Sequence, residues 1–339
     1  MSKPPCPVPP ALLAVARRQA GLVAVRQCLE HGMTRRQVDG RVRRKEWERV
    51  ARGVCDAGVV RPGTVGEGFD LARRRTACLG PLRHPGTAAV SVGALVLHGV
   101  HGAPTRFVAE VAAVKAAPRR GDERVRVRRV LVPSPEEVDG ILVAPVVDSL
   151  ALAVPALTRL EAVAMIDSAR HQGLVDDAGV RRARTLATGR RGARRSHAWW
   201  ALSDARAESP AESWARITCG DAGVPPDAVQ LRVVRADGRV VARVDLAWIL
   251  PDGGVLLTEI DGRDVHSTPG ALLADRRRQN RIDARCTVVR RFTGAEARDG
   301  TAARELAREL DGAGWVPTPV PPGHSSCIER AGLVPDSWR

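Results

Sequence analysis

Asp245, Glu259 and Asp261 are the side chains of this 339-residue chain whose types and spacing most directly suggest chemistry. Asp245 lies in RVVARVDLAW, where Val240, Ala242, Val244, Leu246 and Trp248 alternate with Val241, Arg243, Asp245 and Ala247, the period of a strand. Pro251-Asp252-Gly253-Gly254 is turn chemistry, so VLLTEID is expected to fold back as an antiparallel partner. There Leu257, Glu259 and Asp261 share one face, and Leu256, Thr258 and Ile260 the other. Carboxylates ending an apolar strand are costly if buried unpaired. A divalent cation held by Glu259, Asp261 and, across the hairpin, Asp245 would relieve that cost. Hard oxygen ligands suit Mg2+. An acidic metal cluster is equipment for phosphodiester hydrolysis.

An aspartate late in one strand, a turn, and then Glu259-Ile260-Asp261-Gly262 followed by His266 resemble the restriction-endonuclease-like superfamily, most of all the branch related to very-short-patch-repair endonucleases. The likeness covers about residues 208–310. It implies an α/β domain with a mixed sheet, in which Asp245 and Glu259 hold Mg2+ and Asp261 is a further ligand or orienting carboxylate. His266 would be the general base or a hydrogen-bond donor to the scissile phosphate. Upstream, Glu212 in Ser209-Pro210-Ala211-Glu212-Ser213 resembles the family's helical glutamate near the metal. Asp261 stands where the family pattern carries lysine, so a degenerate fold that binds without cutting is the alternative.

Other elements must bring such a site to its substrate. Helices are expected over 11–19 and 22–31, and Thr34 with Gln37 is a capping-box signature for a third over 35–44. Arg35, Arg36, Arg43 and Arg44 make that helix basic. Strands about Trp47–Val50 and Gly53–Cys55 would follow, the order of a winged helix-turn-helix. Gly21, Cys28, Gly32, Thr34, Trp47, Val50, Gly53 and Val54 are similar to the N-terminal domain of AbiEi-type antitoxins, which implies DNA binding and a cognate toxin as partner.

The fold class expected is α+β multidomain: a winged helix-turn-helix over 1–62, a small α+β connecting domain over 63–187, a linker and short helix over 188–207, the endonuclease-like domain over 208–310 and a peripheral tail over 311–339. In the connecting domain a helix from Gly66 to Gly80 should turn Phe69, Leu71, Ala72, Ala77 and Leu79 inward, and His98 reads as a satisfied core residue. A bridging or homodimerising role is assigned to this domain. Asp275–Ala284 should be a helix whose Arg276 and Arg277 grip phosphates, and a single helix is expected over 295–310.

Composition supports a polyanionic partner without naming it. Lysine and arginine exceed the acids to give a net charge of +15, which makes any nucleic-acid binding sensitive to salt. Cys6, Cys28, Cys55, Cys78, Cys219, Cys286 and Cys327 are odd in number and show no CxxC spacing, which argues for reduced thiols over a disulfide frame or zinc site. No secretory h-region opens the chain and no run is long enough to span a bilayer, so a soluble cytoplasmic protein is expected. The two functions carried forward are Mg2+-dependent DNA hydrolysis and, as the alternative, a non-catalytic regulator or antitoxin of a type IV toxin–antitoxin system.

Overall fold

A computed structural model describes residues 7–115, 123–234, 240–261 and 287–317. The chain is mixed α and β and packs as two units, one of residues 1–158 with 174–197, the other of residues 159–173 with 198–339. Among the described residues no helix is long and apolar enough to cross a membrane.

The first unit opens with α1 (Pro10–Arg18), β1 (Leu22–Ala24), α2 (Val25–Glu30), α3 (Arg35–Arg43), β2 (Glu48–Ala51) and β3 (Val54–Asp56). The capping box that starts α3 is present: the Gln37 amide donates to Thr34 Oγ1 at 3.2 Å, and Gln37 Oε1 accepts from the Thr34 amide at 2.6 Å. Leu22–Ala24, expected as helix, is instead a strand paired antiparallel to β3, which also pairs with β2. Three consecutive buried apolar residues carry no period, so only tertiary pairing decides their state.

Next come α4 (Val65–Arg83), β4 (Thr87–Ala89), α5 (Ser91–Leu97), β5 (Ala109–Ala113), β6 (Val125–Leu131), β7 (Glu136–Val138), β8 (Ile141–Val143) and α6 (Val146–Ala153). They build a mixed sheet ordered β6-β5-β4-β8-β7. Leu22, Ala24 and Val54 share one core with Ala77, Leu82, Ala89 and Ile141, so the small antiparallel sheet and the mixed sheet are packed together. The inner face expected for α4 is half right. Ala77 is buried, whereas Phe69 and Ala72 are exposed, because only the C-terminal half of α4 meets the sheet. His98 is the satisfied core residue expected, its Nε2 2.9 Å from the Ala144 carbonyl.

The second unit takes α7 (Arg159–His171) from the middle of the chain. The first unit resumes with α8 (Asp177–Ala187) and α9 (Ala193–Ser196). The TGRRGARR segment is packed there: a Cβ on Gly192 would overlap the Pro155 carbonyl, and Arg195 donates to the Leu157 carbonyl at 3.0 Å.

The rest of the second unit is α10 (Pro210–Asp221), β9 (Ala228–Val234), β10 (Val240–Ile249), β11 (Val255–Asp261), β12 (Thr287–Thr293), α11 (Gly294–Asp299) and α12 (Thr301–Gly312). Its sheet is ordered β12-β11-β10-β9, with β9, β10 and β11 antiparallel and β12 parallel to β11. The hairpin expected about Pro251–Gly254 is present. Leu246, Trp248, Leu256, Ile260 and Phe292 form one core with Ala211 and Ala215 of α10 and Leu306 and Leu310 of α12. The terminal helix is broken in two at Gly300, whose φ of +79° favours glycine.

Asp167 ties α7 into this unit. It is 1% exposed, and its carboxylate accepts from the Asp204 amide at 2.7 Å, Ser213 Oγ at 2.8 Å and Arg216 Nη2 at 2.8 Å. Removing one partner of a buried pair leaves the other charge uncompensated. Asp167→Ala should therefore destabilise the second unit by roughly 3–5 kcal/mol, read as a drop in urea midpoint. Unchanged stability would mean that α7 is held by apolar packing alone.

Candidate functional site

Two strands part where the acidic residues stand. β10 and β11 pair residue for residue from Ile249–Val255 to Leu246–Thr258. Beyond that, the Asp245 side chain replaces the ladder: its Oδ2 accepts from the Ile260 amide at 2.7 Å. Alternation fails at the same point. Val244 packs with Ala247 and Leu257, while Leu246 packs with Trp248 on the helix-covered side, so the expected Val244–Leu246–Trp248 face is interrupted. Strand period two cannot anticipate a bulge or splay.

Glu212 arrives from α10. Ser209 is the N-cap, Pro210 occupies the first turn, and the Glu212 amide donates to Ser209 Oγ at 3.3 Å. The Glu212 carboxylate accepts from the Glu208 amide at 2.9 Å. Between Glu212 and Asp245 lies the amide of Gln230, on β9. Its Nε2 is 2.6 Å from Glu212 Oε2 and 3.3 Å from Asp245 Oδ1. Gln230 holds a left-handed backbone, φ +54°, in mid-strand, flanked by the regular pairs Val229–Leu246 and Leu231–Val244. On the next strand Arg291 is in register with Glu259 and its Nη2 is 3.0 Å from Glu259 Oε2.

Burial pushes the Asp245 carboxyl up to about 6, and the charges of Glu212 and Glu259 push it the same way against the Ile260 and Gln230 hydrogen bonds. Glu212 and Glu259 are buried, and Asp245 is half-buried. The expected residues Glu212, Asp245 and Glu259 are thus brought within electrostatic reach of one another. Asp261 is exposed at the end of β11, in register with Thr293, and is not among the charges acting on Asp245. His266, Arg276 and Arg277 lie outside the described residues.

The donor set suits a hard cation: carboxylate oxygens that are buried and crowded with like charge. Among the described residues, however, no three His, Cys, Asp or Glu side chains stand close enough to ligate one ion. Two nitrogen donors, from Gln230 and Arg291, are interposed among the acids. Neither follows from the motif spacing. Gln230, a long polar side chain inside the apolar run AVQLRVV, was the available signal. Arg291 had none, because its partner is set by parallel pairing.

A second group of residues is basic. On α3, Arg35, Arg36 and Arg43 are exposed and make no ion pair among the described residues, whereas Arg44 is bound to Glu46 at 2.6 Å. Arg41 also pairs with Glu46 and lies over the Trp47 ring. Arg52, at the exposed turn joining β2 to β3, adds a cation that was not anticipated. Cys28, Cys55, Cys78 and Cys219 are buried free thiols, as expected, and burial pushes Cys28, Cys78 and Cys219 up to about 12.

The raised Asp245 carboxyl has a definite pH signature. In the unfolded chain it titrates near ~3.9, so between pH 4 and 6 the native state holds a proton that the unfolded state has lost. Stability is fully present below that window and falls as pH rises through it. Asp245→Asn, measured by chemical unfolding in EDTA, should flatten this slope and stabilise the protein at pH 7 by roughly 2 kcal/mol, with little effect at pH 4. A slope unchanged by the substitution would place the acids further apart than described. Comparison with models of known protein families finds no match, and comparison with characterised proteins finds none, so this site is read from its own geometry.

Proposed function

We propose that this chain is a DNA-binding protein whose second unit is a Mg2+-dependent endonuclease-like domain that hydrolyses phosphodiesters. The observation that carries the reading is Asp245, seated where β10 and β11 part and facing Glu212 and Glu259. The order of the four-stranded sheet, an antiparallel β9-β10-β11 with β12 parallel to β11 and α10 bringing a glutamate, is consistent with the restriction-endonuclease-like architecture.

Asp245 and Glu259 would hold the cation, with Glu212 beside them and Asp261 and His266 as further candidates. A divalent cation held there would supply positive charge to a phosphodiester. The chain's own part is to hold three acids in fixed orientations. The Ile260 amide orients Asp245, the Glu208 amide orients Glu212, and Arg291 orients Glu259. Residues 1–62 of the first unit are read as the winged helix-turn-helix, with Arg35, Arg36 and Arg43 on phosphates or base edges. A net charge of +15 favours the same partner.

A specific observation favours the second reading, a transcriptional regulator or antitoxin that binds DNA without cutting, paired with a cognate toxin and with a homodimerising role for residues 63–187. Glu259 already has a cation in Arg291, and Asp261 stands where a lysine would be expected. The two readings part in one assay. Wild-type protein should nick plasmid DNA with Mg2+ or Mn2+ and stop in EDTA, and Asp245→Ala and Glu259→Ala should each lower the rate at least a hundredfold. DNA left intact with every divalent ion sinks the hydrolase reading. In gel shifts, Arg36→Ala/Arg43→Ala should weaken binding about tenfold or more and lower the salt dependence by about one unit per lost phosphate contact. Binding that survives that pair would remove α3 from the interface.

A further inference from the structure

We infer that the exposed arginines of α8 and of the turn into α9 form a second duplex-DNA surface on the first unit, one that grips the phosphate backbone without reading bases. This rests on the reading of the chain as a DNA-binding protein, and adds to it a surface far from α3 in sequence. Residues 178–197 carry seven arginines and no aspartate or glutamate. Arg181, Arg182, Arg191 and Arg194 are exposed and make no ion pair among the described residues. Elsewhere in the same unit arginines are matched by acids. On α4, Arg73 pairs with Asp70 at 2.8 Å, Arg74 with Asp139, and Arg75 with Asp56 at 2.6 Å. On β6, Arg126 and Arg128 both meet Glu110. Unmatched like charge repels itself, and a polyanion relieves that repulsion while releasing its own counterions.

These cations stand on a fixed frame. Val180, Ala183 and Ala187 are buried and α8 packs against α6, which leaves Arg181, Arg182 and Arg184 on the exposed side. Gly192 turns the chain at φ +92°, where a Cβ would lie 2.1 Å from the Pro155 carbonyl oxygen. Arg195 donates to the Pro155 and Leu157 carbonyls at 3.3 and 3.0 Å, and Arg190 Nε to the Leu186 carbonyl at 3.0 Å. Such bonds brace the turn without neutralising its charge, and a surface already ordered loses less entropy on binding.

Chemistry selects the partner. A planar guanidinium suits two-point contact with phosphate oxygens. Leu186 is the only large apolar side chain exposed on α8, so no apolar face remains to enter a bilayer. Residues 174–197 contain no aromatic ring on which unpaired bases could stack. Charge without a stacking or apolar element fits the backbone of a duplex.

The full chain can be titrated by fluorescence anisotropy against labelled duplexes of unrelated sequence over a range of salt. Arg181→Ala/Arg182→Ala/Arg191→Ala/Arg194→Ala should keep the wild-type Tm, since all four side chains are exposed. It should bind every duplex about tenfold or more weakly, with a salt slope lower by about one unit per lost phosphate contact. Arg181→Lys/Arg182→Lys/Arg191→Lys/Arg194→Lys should keep the wild-type slope, because the charges remain. Wild-type affinity and slope in the alanine variant, with Arg36→Ala/Arg43→Ala still weakened, would overturn this surface and leave α3 as the DNA contact. A loss confined to one sequence would overturn it too, since backbone contacts do not discriminate. Single-stranded RNA or anionic vesicles held more tightly than duplex through these same arginines would overturn the choice of partner. If the wild-type protein binds no duplex at all, the DNA reading and this surface fall together.

Discussion

The second unit is governed by the difficulty of keeping carboxylates inside a sheet. Glu212, Asp245 and Glu259 sit at the end of an apolar strand pair, and water that would screen their charge is largely excluded. Each acid is therefore met by a fixed donor: the Glu208 amide, the Ile260 amide, the Gln230 side chain and Arg291. The parting of β10 from β11, the left-handed residue in β9 and the parallel placement of β12 all serve that requirement. Without the parting, the Ile260 amide would belong to the ladder; without β12, Arg291 would not stand in register with Glu259.

Support for the site reaches back to a segment nearly fifty residues upstream in sequence. Asp167 on α7 binds Ser213 and Arg216, which lie one and four positions after Glu212 on α10. The first turn of α10 is thus held at its cap by Ser209 and from behind by a buried carboxylate. Arg298 extends the same bracing, pairing with Glu161 at 3.0 Å and lying 5.0 Å from the Trp214 ring. Precision at an acidic site needs such secondary support, because like charges exploit any slack in the elements that carry them.

How much could be read beforehand follows from the range of each signal. Local codes were legible: the Thr34–Gln37 box, the Pro251–Gly254 turn and the strands on either side of it all depend on residues a few positions apart. So were Glu212, Asp245 and Glu259 as a set, since their types and spacing are unusual on apolar elements. Gln230 shows in the sequence only as a long polar side chain inside an apolar run, and its two acid partners are set by tertiary structure. Arg291 depends on a parallel pairing across about thirty residues of sequence. Phe69 was assigned inward on periodicity, but α4 extends beyond the sheet that would have covered it. β1 is hidden from the sequence because Leu22–Ala24 is too short to carry a period.

Two aspartates in this unit, Asp167 buried and Asp245 half-buried, show why a shifted acidity needs its partners before it says anything about function. Burial pushes both Asp167 and Asp245 up to about 6. Around Asp167 every other influence opposes burial: Arg216, the Asp204 amide and the Ser213 hydroxyl all favour the charged form. That is a closed network, satisfied within the protein, and its work is to join α7 to α10. Around Asp245 two further acids reinforce burial, and only hydrogen bonds from the Ile260 amide and Gln230 resist. A fold that needed only stability would lose nothing by replacing Asp245 with a neutral residue of the same shape, whereas replacing Asp167 strands an arginine. Like charge crowded beside a half-buried carboxyl is the feature on which the proposed cation site rests, and that asymmetry, more than either shifted value, is why Asp245 and not Asp167 is the acid we propose as functional.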